Sequence, residues 1–314
     1  MFEHALQNDR AEVVQNTAPH TEKLQMAFLK AHRYALILAE QREMLPADLP
    51  FVPLVPQQLA KDVGLMPLAL DLWALDEKVR LALFEQLIEL QEQKKASPIA
   101  ALLIAACDIK QLSKHLSDIQ YRRYLQQSGW LRLVDPRVWI QLPRVLGARE
   151  VARLFGPVQQ WSVCLYGDWV VTRPLTPAML ETVETPHLAL RWPALLRMGI
   201  VNRALAHLGW LAFSQAQAQS ELLDALIYQG QSKHQLFRTE ELVAYACLGI
   251  HCGLAFDEHP IALAAIAGLD RDDPDASIVD ALNEIPQEQW EIIQRETHSK
   301  MYATQLPLKA NNGR

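Results

Sequence analysis

Residues 130–171 read WLRLVDPRVWIQLPRVLGAREVARLFGPVQQWSVCLYGDWVV. The apolar run Leu131–Val134 predicts a buried strand that ends at Asp135-Pro136-Arg137. Aspartate followed by proline is a helix start. The carboxylate accepts a free backbone amide, and proline at the first helical position presets φ where its missing N–H costs nothing. A helix through Leu142–Leu146 follows, then a turn at Gly156-Pro157. Trp161–Tyr166 and Asp168–Thr172, joined at Gly167, read as a closing hairpin.

Upstream, apolar strands continue to alternate with amphipathic helices. A short helix carries Leu24, Phe28 and Ala31, and Tyr34–Ala39 is a compact run suited to a central strand. Pro46, Pro50, Pro53 and Pro56 cannot donate to a continuous ladder, so residues 45–56 are expected to be irregular. Leu65–Trp73 is a second apolar run, with Pro67 pushing its start toward an edge or a turn. Asp76–Gln91 is helical, with Val79, Leu83, Leu87 and Leu90 on one face. Ser97-Pro98 interrupts the chain, Ile99–Ala106 gives a third strand, and Asp108 caps a helix striped by Ile109, Leu112, Leu116 and Ile119. The expected architecture over residues 21–174 is therefore an α/β or α+β lobe, a small mixed sheet with flanking helices.

After Pro174 the pattern becomes helical: a Thr176-Pro177 start, then Pro193–Ala218, Ser220–Tyr228, Thr239–Leu254, Pro260–Gly268 and Pro286–His298. Thr239, followed by Glu240 and Glu241, is expected to cap a helix whose positive end the two carboxylates favour. These features place an all-α lobe at 175–305, a polar arm at 1–20 and a polar tail at 306–314.

Composition excludes several classes. A chain of 314 residues that is 50% hydrophobic and 21% charged has enough apolar side chains for a substantial core. A net charge of −6 argues against general nucleic-acid binding, which needs clustered cations. Arg122, Arg123, Arg132, Arg137, Arg144, Arg149 and Arg153 nevertheless fall close together. They read either as solvated helix faces or as a docking face for an acidic partner. The N-terminal residues lack the basic start and apolar core of a signal peptide, and no apolar run reaches the ~18 residues of a membrane span. Four scattered cysteines make no disulfide framework, and the expected compartment is a reducing cytoplasm.

Chemistry-bearing constellations are sparse. Cys247 and His251 share a helix face beside Cys252, but no further ligand pair completes a zinc site, and Cys247 also belongs to the apolar stripe Val243, Cys247, Ile250, Leu254. There is no nucleophile elbow or glycine-rich loop, and only 12 glycines in all. Asp135 and Asp168 read as cap and turn residues. Asp270-Arg271-Asp272-Asp273-Pro274-Asp275 lacks the glycine and terminal glutamate of a calcium loop and reads as solvated. No catalytic residue, metal or cofactor is expected. Trp130, Trp139, Trp161 and Trp169 are core candidates; left exposed beside Arg137 or Arg144, they would form an interface hot spot.

The order of these elements resembles the type VI secretion adaptor-chaperones, which load toxic effectors onto a spike protein. The resemblance rests on Leu131–Val134, Asp135-Pro136-Arg137, Leu142–Leu146, Phe155-Gly156-Pro157, Trp161 and Gly167-Asp168-Trp169. Upstream it includes Tyr34-Ala35-Leu36 and Leu112–Leu116 with His115; downstream, Leu236–Tyr245 and Phe256-Asp257-Glu258-His259-Pro260. It spans roughly residues 33 to 265. The resemblance implies a non-enzymatic adaptor whose partners are an effector's N-terminal region and the VgrG spike, with no nucleic acid and no membrane. Arg137, Trp139, Arg144, Trp161 and Trp169 are the expected partner contacts, on the lobe surface or in a groove between lobes. Asp135, Pro136, Gly156 and Pro157 are the expected structural motif. Two other readings stay open: a hydrolase-like enzyme with a site between the lobes, and a structural subunit that self-associates.

Overall fold

A computed structural model describes residues 19–93, 95–181, 188–209, 211–269 and 277–305. Among them the strands are His20–Glu22 (β1), Tyr34–Ile37 (β2), Val52–Pro53 (β3), Leu68–Asp71 (β4), Ala101–Ala105 (β5), Tyr121–Tyr124 (β6), Gln127–Trp130 (β7), Val158–Leu165 (β8) and Asp168–Thr172 (β9). The helices up to the last strand are Met26–Ala31 (α1), Glu77–Glu92 (α2), Ile109–Gln120 (α3), Pro136–Trp139 (α4), Leu142–Leu146 (α5) and Ala148–Phe155 (α6). After it come Pro177–Glu181 (α7), Leu188–His207 (α8), Phe213–Lys233 (α9), Thr239–Cys252 (α10), Pro260–Ala267 (α11), Ile278–Asn283 (α12) and Gln287–Gln305 (α13). The chain divides into two compact units between Leu196 and Arg197, within α8. None of the described helices is long and apolar enough to cross a membrane.

Seven strands form one sheet in the order β1-β9-β8-β5-β2-β4-β3, and β6-β7 form a separate hairpin. The expected sheet with flanking helices is present in its α+β form, because every pairing is antiparallel. The apolar runs β2 and β5 occupy the middle, and alternate residues serve opposite faces. Ala35, Ile37, Leu70 and Leu102 pack with Leu29 of α1 and Leu83, Phe84 and Leu87 of α2. On the other face, Tyr34, Leu103 and Trp161 stand in register and are buried; α3 lies against β3 and β4, and α4 and α6 against β8. The proline-rich stretch contributes only β3, an edge strand of two residues, which is where Pro53 costs the ladder least. Asp108 caps α3 through its side chain as expected; Asp76, expected as the first residue of its helix, caps α2 in the same way. Val79, expected on the buried face of α2, is exposed, and Phe84 is buried there instead.

Several boundaries differ from the sequence expectation. Leu131–Val134 is not a strand: Leu131 N donates to Gln120 O and Asp135 N to Arg132 O, so this apolar run is buried as a turn. The strand nearby is β7, paired with β6 in a polar hairpin that apolar patterning gives no reason to expect. His20, the last residue of the expected arm, opens an edge strand paired with β9; residues 1–18 lie outside the described residues. So do the Asp270–Asp275 loop and the 306–314 tail. Helix α9 runs unbroken through Ser220, whose hydroxyl donates to Ala216 O, and the expected break falls earlier, between α8 and α9. Pro193 lies inside α8 rather than at its start. Thr239 is the first residue of α10, not its cap; Arg238 holds the cap position and its side chain does not cap the helix amides.

Two turns shape the central segment. Tyr166 and Gly167 both have positive φ, the conformation of a two-residue turn that matches strand twist. Gly156 ends α6 with φ 51°, and the His115 ring covers it while His115 Nε2 donates to Leu154 O at 2.9 Å. A Cβ at position 156 would lie 2.2 Å from His115 Cε1. Gly156→Ala therefore combines a strained φ with a steric clash, and is expected to lower unfolding free energy by about 2 kcal/mol or more in urea denaturation. A His115→Ala background is expected to relieve part of that loss; equal losses in both backgrounds would refute the close-approach account.

Candidate functional site

The Asp135 corner is closed upon itself. Asp135 is buried and accepts Arg137 N at 2.9 Å, while Val138 N and Trp139 N bond its carbonyl. Arg137 then folds back: Nε lies 3.1 Å from Oδ1 and Nη2 2.9 Å from Oδ2 of the same carboxylate. Such a two-point pair is among the stronger charge-assisted contacts. The hydrogen bond to Asp135 raises the Arg137 pKa, and the hairpin residue Tyr166 stands near both charges, its own pKa raised by burial. Arg137, expected as a partner contact, is thus engaged within its own motif.

The tryptophans require a larger correction. Trp139 stacks on Trp161 with centroids 3.9 Å apart, and Phe155 meets both rings edge-on. Trp139 Nε1 donates to Thr172 Oγ1 across β9 at 3.3 Å. Trp169 faces the other side of the sheet, against Phe28. Relative exposures are 2% for Trp139, 0% for Trp161 and 1% for Trp169, so all three are core and none presents a surface to a partner. Of the five expected contacts only Arg144 is exposed, with Nη2 3.4 Å from Gln141 Oε1. Trp130, half-buried, donates to Gln120 Oε1 and lies under Arg132, which pairs with Glu40. Pro136 opens α4 and Pro157 leads into β8, both in structural positions.

Sequence reasoning missed three polar assemblies. In the first, His32 Nδ1 donates to Phe28 O at 2.7 Å, which leaves Nε2 to accept from Ser162 Oγ at 2.9 Å. Gln160 bonds both groups and receives Arg173 Nε. This is a nucleophile–base distance, but His32 is 1% and Ser162 0% exposed, and a backbone carbonyl occupies the position of an orienting carboxylate. Burial pushes the His32 pKa down, so the ring is neutral and satisfies buried polar atoms. No local signal links residues 130 positions apart.

The second assembly ties Arg33 to Asp71 at 3.0 Å, with the guanidinium over Tyr34 and the exposed Trp73. Tyr34 donates to Cys107 O, and burial pushes its pKa up to about 12.

The third centres on Asp257 in the unit that begins at Arg197. Its carboxylate is fully buried and accepts from Gln229 Nε2 at 2.9 Å, Tyr245 OH at 2.9 Å, His234 Nε2 at 2.6 Å and Lys233 Nζ at 3.0 Å. Burial alone would raise the Asp257 pKa; the donors from His234, Lys233, Tyr245 and Gln229 outweigh it and hold the carboxyl far below its ordinary range. Tyr245 is pushed up by burial and by the neighbouring charge. The assembly joins the end of α9, the body of α10 and the turn at Phe256–Glu258. Elsewhere in this unit Arg197 pairs with Asp224 at 2.7 Å. His251 Nδ1 bonds Cys247 O, and burial raises both the Cys247 and Cys252 thiols, away from the thiolate a metal requires.

Comparisons with protein-family models, curated proteins and solved structures return no match.

The Asp257 carboxylate carries a pH signature. Its folded pKa lies below the unfolded value of about 3.9, so its stabilisation is present above that pH and is lost as pH falls toward the folded pKa. Asp257→Asn is expected to cost about 3 kcal/mol at pH 7 by breaking a buried charge network, and the gap to the parent chain should narrow below about pH 4. Parallel urea melts at pH 7 and pH 3 measure it; a gap unchanged between the two would exclude a depressed carboxylate.

Proposed function

We propose that this chain is a non-enzymatic adaptor-chaperone that holds the N-terminal region of a type VI secretion effector and delivers it to the VgrG spike, acting in the cytoplasm. One observation carries the reading. The motifs behind the resemblance, Asp135-Pro136-Arg137, Phe155-Gly156-Pro157, Trp161 and Gly167-Asp168-Trp169, converge on one packed unit. The Trp139–Trp161 stack and Phe155 pack together, Trp139 bonds Thr172 of β9, and Tyr166 in the β8–β9 turn stands near the Asp135–Arg137 pair. Motifs that recur in order and pack together act as fold determinants, so partner contact falls to exposed side chains around them, Arg144 among those expected.

The expected hydrolase site lay between the lobes; within the sheet-bearing unit the Ser162–His32 distance of 2.9 Å is a comparable geometry, and burial of both groups weighs against it. An active site needs substrate access as well as a base near a nucleophile. A self-associating subunit has no specific observation in its favour.

Co-expression with a toxin, should one be encoded beside it, is expected to give a defined complex and a more soluble toxin. Ser162→Ala is expected to leave that complex intact. Normal solubility and export of the toxin without this chain would remove the adaptor reading; hydrolytic turnover abolished by Ser162→Ala would replace it.

A further inference from the structure

Arg191, in the first turns of α8, is 7% exposed. Its guanidinium lies flat against Gly147: a Cβ there would meet Nη2 at 2.7 Å and Nη1 at 2.9 Å. Gly147, with φ 78°, ends α5 and immediately precedes α6, whose start has no side-chain cap. Arg191 Nη1 is buried without a hydrogen-bond partner, and no ion pair joins this arginine to a carboxylate among the described residues.

This arrangement is electrostatically incomplete. The first amides of a helix have no intrahelical acceptor and carry the positive end of its dipole. A buried guanidinium set against that end adds like charge to like, and a buried cation is costly unless paired. Among the described residues the nearby charges do not supply the missing anion. Arg149 adds another cation and donates to Leu180 O, while Glu150 is engaged by Arg153. The guanidinium and the first amides of α6 share one ligand preference, since both are built to bind carboxylate and phosphate oxygens.

We propose that Arg191 and the backbone amides of Ala148 and Arg149 form an oxyanion-binding site, filled either by a free inorganic oxyanion or by a carboxylate of an acidic peptide segment. The inference rests on this geometry alone and stands or falls independently of the adaptor reading.

The test is an amide and arginine Nε NMR titration of the full chain with inorganic phosphate, ionic strength held constant with sodium chloride. Saturable shifts confined to Arg191 Nε–Hε, Ala148 and Arg149 are expected, with phosphate binding at least tenfold weaker in Arg191→Gln. Competition by an N-acetylated, amidated triglutamate peptide assigns the carboxylate source; phosphate binding that the peptide leaves unchanged assigns a free oxyanion. Non-saturating shifts, shifts spread over the surface, or equal binding in folded Arg191→Gln would overturn the site. Should that variant not fold, the parent titration decides alone, through the location and saturation of its shifts.

Discussion

The contact between Trp139 and Trp161 fixes the centre of the sheet-bearing unit. Trp161 is held in the sheet between Leu103 of β5 and Thr172 of β9, so its position follows from ladder register. Trp139 comes from outside the sheet and reaches it only because Asp135 and Pro136 start a helix where they do. An aromatic pair adds about 0.5–1.5 kcal/mol beyond the area it buries, and the Asp135 cap about 1 kcal/mol. Neither is large alone. Their dependence on each other is what matters: the cap aims the ring, and the ring, bonded to Thr172, anchors the short helices α4–α6 against β8.

Legibility of the fold tracks how local its causes are. Asp76, Asp108 and Asp135 act as caps on amides two or three residues away, and all three were readable as helix starts. Tyr34–Ile37 and Ala101–Ala105 were readable because strands covered on both faces are apolar throughout. Leu131–Val134 has the same composition and is a turn, since apolarity reports burial and not backbone conformation. The polar β6-β7 hairpin and the edge strand β1 carry no apolar alternation, so patterning could not reveal them. The antiparallel pairing was likewise invisible, because strand–helix alternation suggests parallel crossovers and only the order of strands in space decides.

Of the residues expected as partner contacts, three are core tryptophans and Arg137 is engaged by Asp135. Arg137 and the tryptophans were picked out as residues concentrated in one segment, the composition of an interface hot spot. The same composition describes a core built on stacked indoles, and exposure separates the two. Arg137 has its carboxylate two residues away, a pairing that competes with any partner for the same fork of donors. Asp257 illustrates the converse. It was noted only as part of a motif, yet it is the most heavily bonded carboxylate described, because Gln229, Lys233 and His234 at the end of α9 and Tyr245 of α10 all converge on it. Long-range polar assemblies of that kind leave no spacing in the sequence.

Two buried polar groups with opposite histories illustrate what separates scaffold from site here. Ser162 and His32 have the distance expected of reacting groups, and each is accounted for by partners already present: Phe28 O, Gln160 and each other. Nothing further is needed to explain why the protein tolerates them. Arg191 has the opposite character, a guanidinium packed on Gly147 whose Nη1 is buried without a hydrogen-bond partner. The cost of burying a charge without a counter-ion is several kcal/mol, comparable with the net stability of a domain. A folded chain that keeps such a charge either relieves it by a neighbour or has a ligand relieve it. By that criterion the complete assemblies, including the one that most resembles catalytic machinery, belong to the scaffold, and the incomplete one at Gly147 is where binding chemistry remains to be supplied.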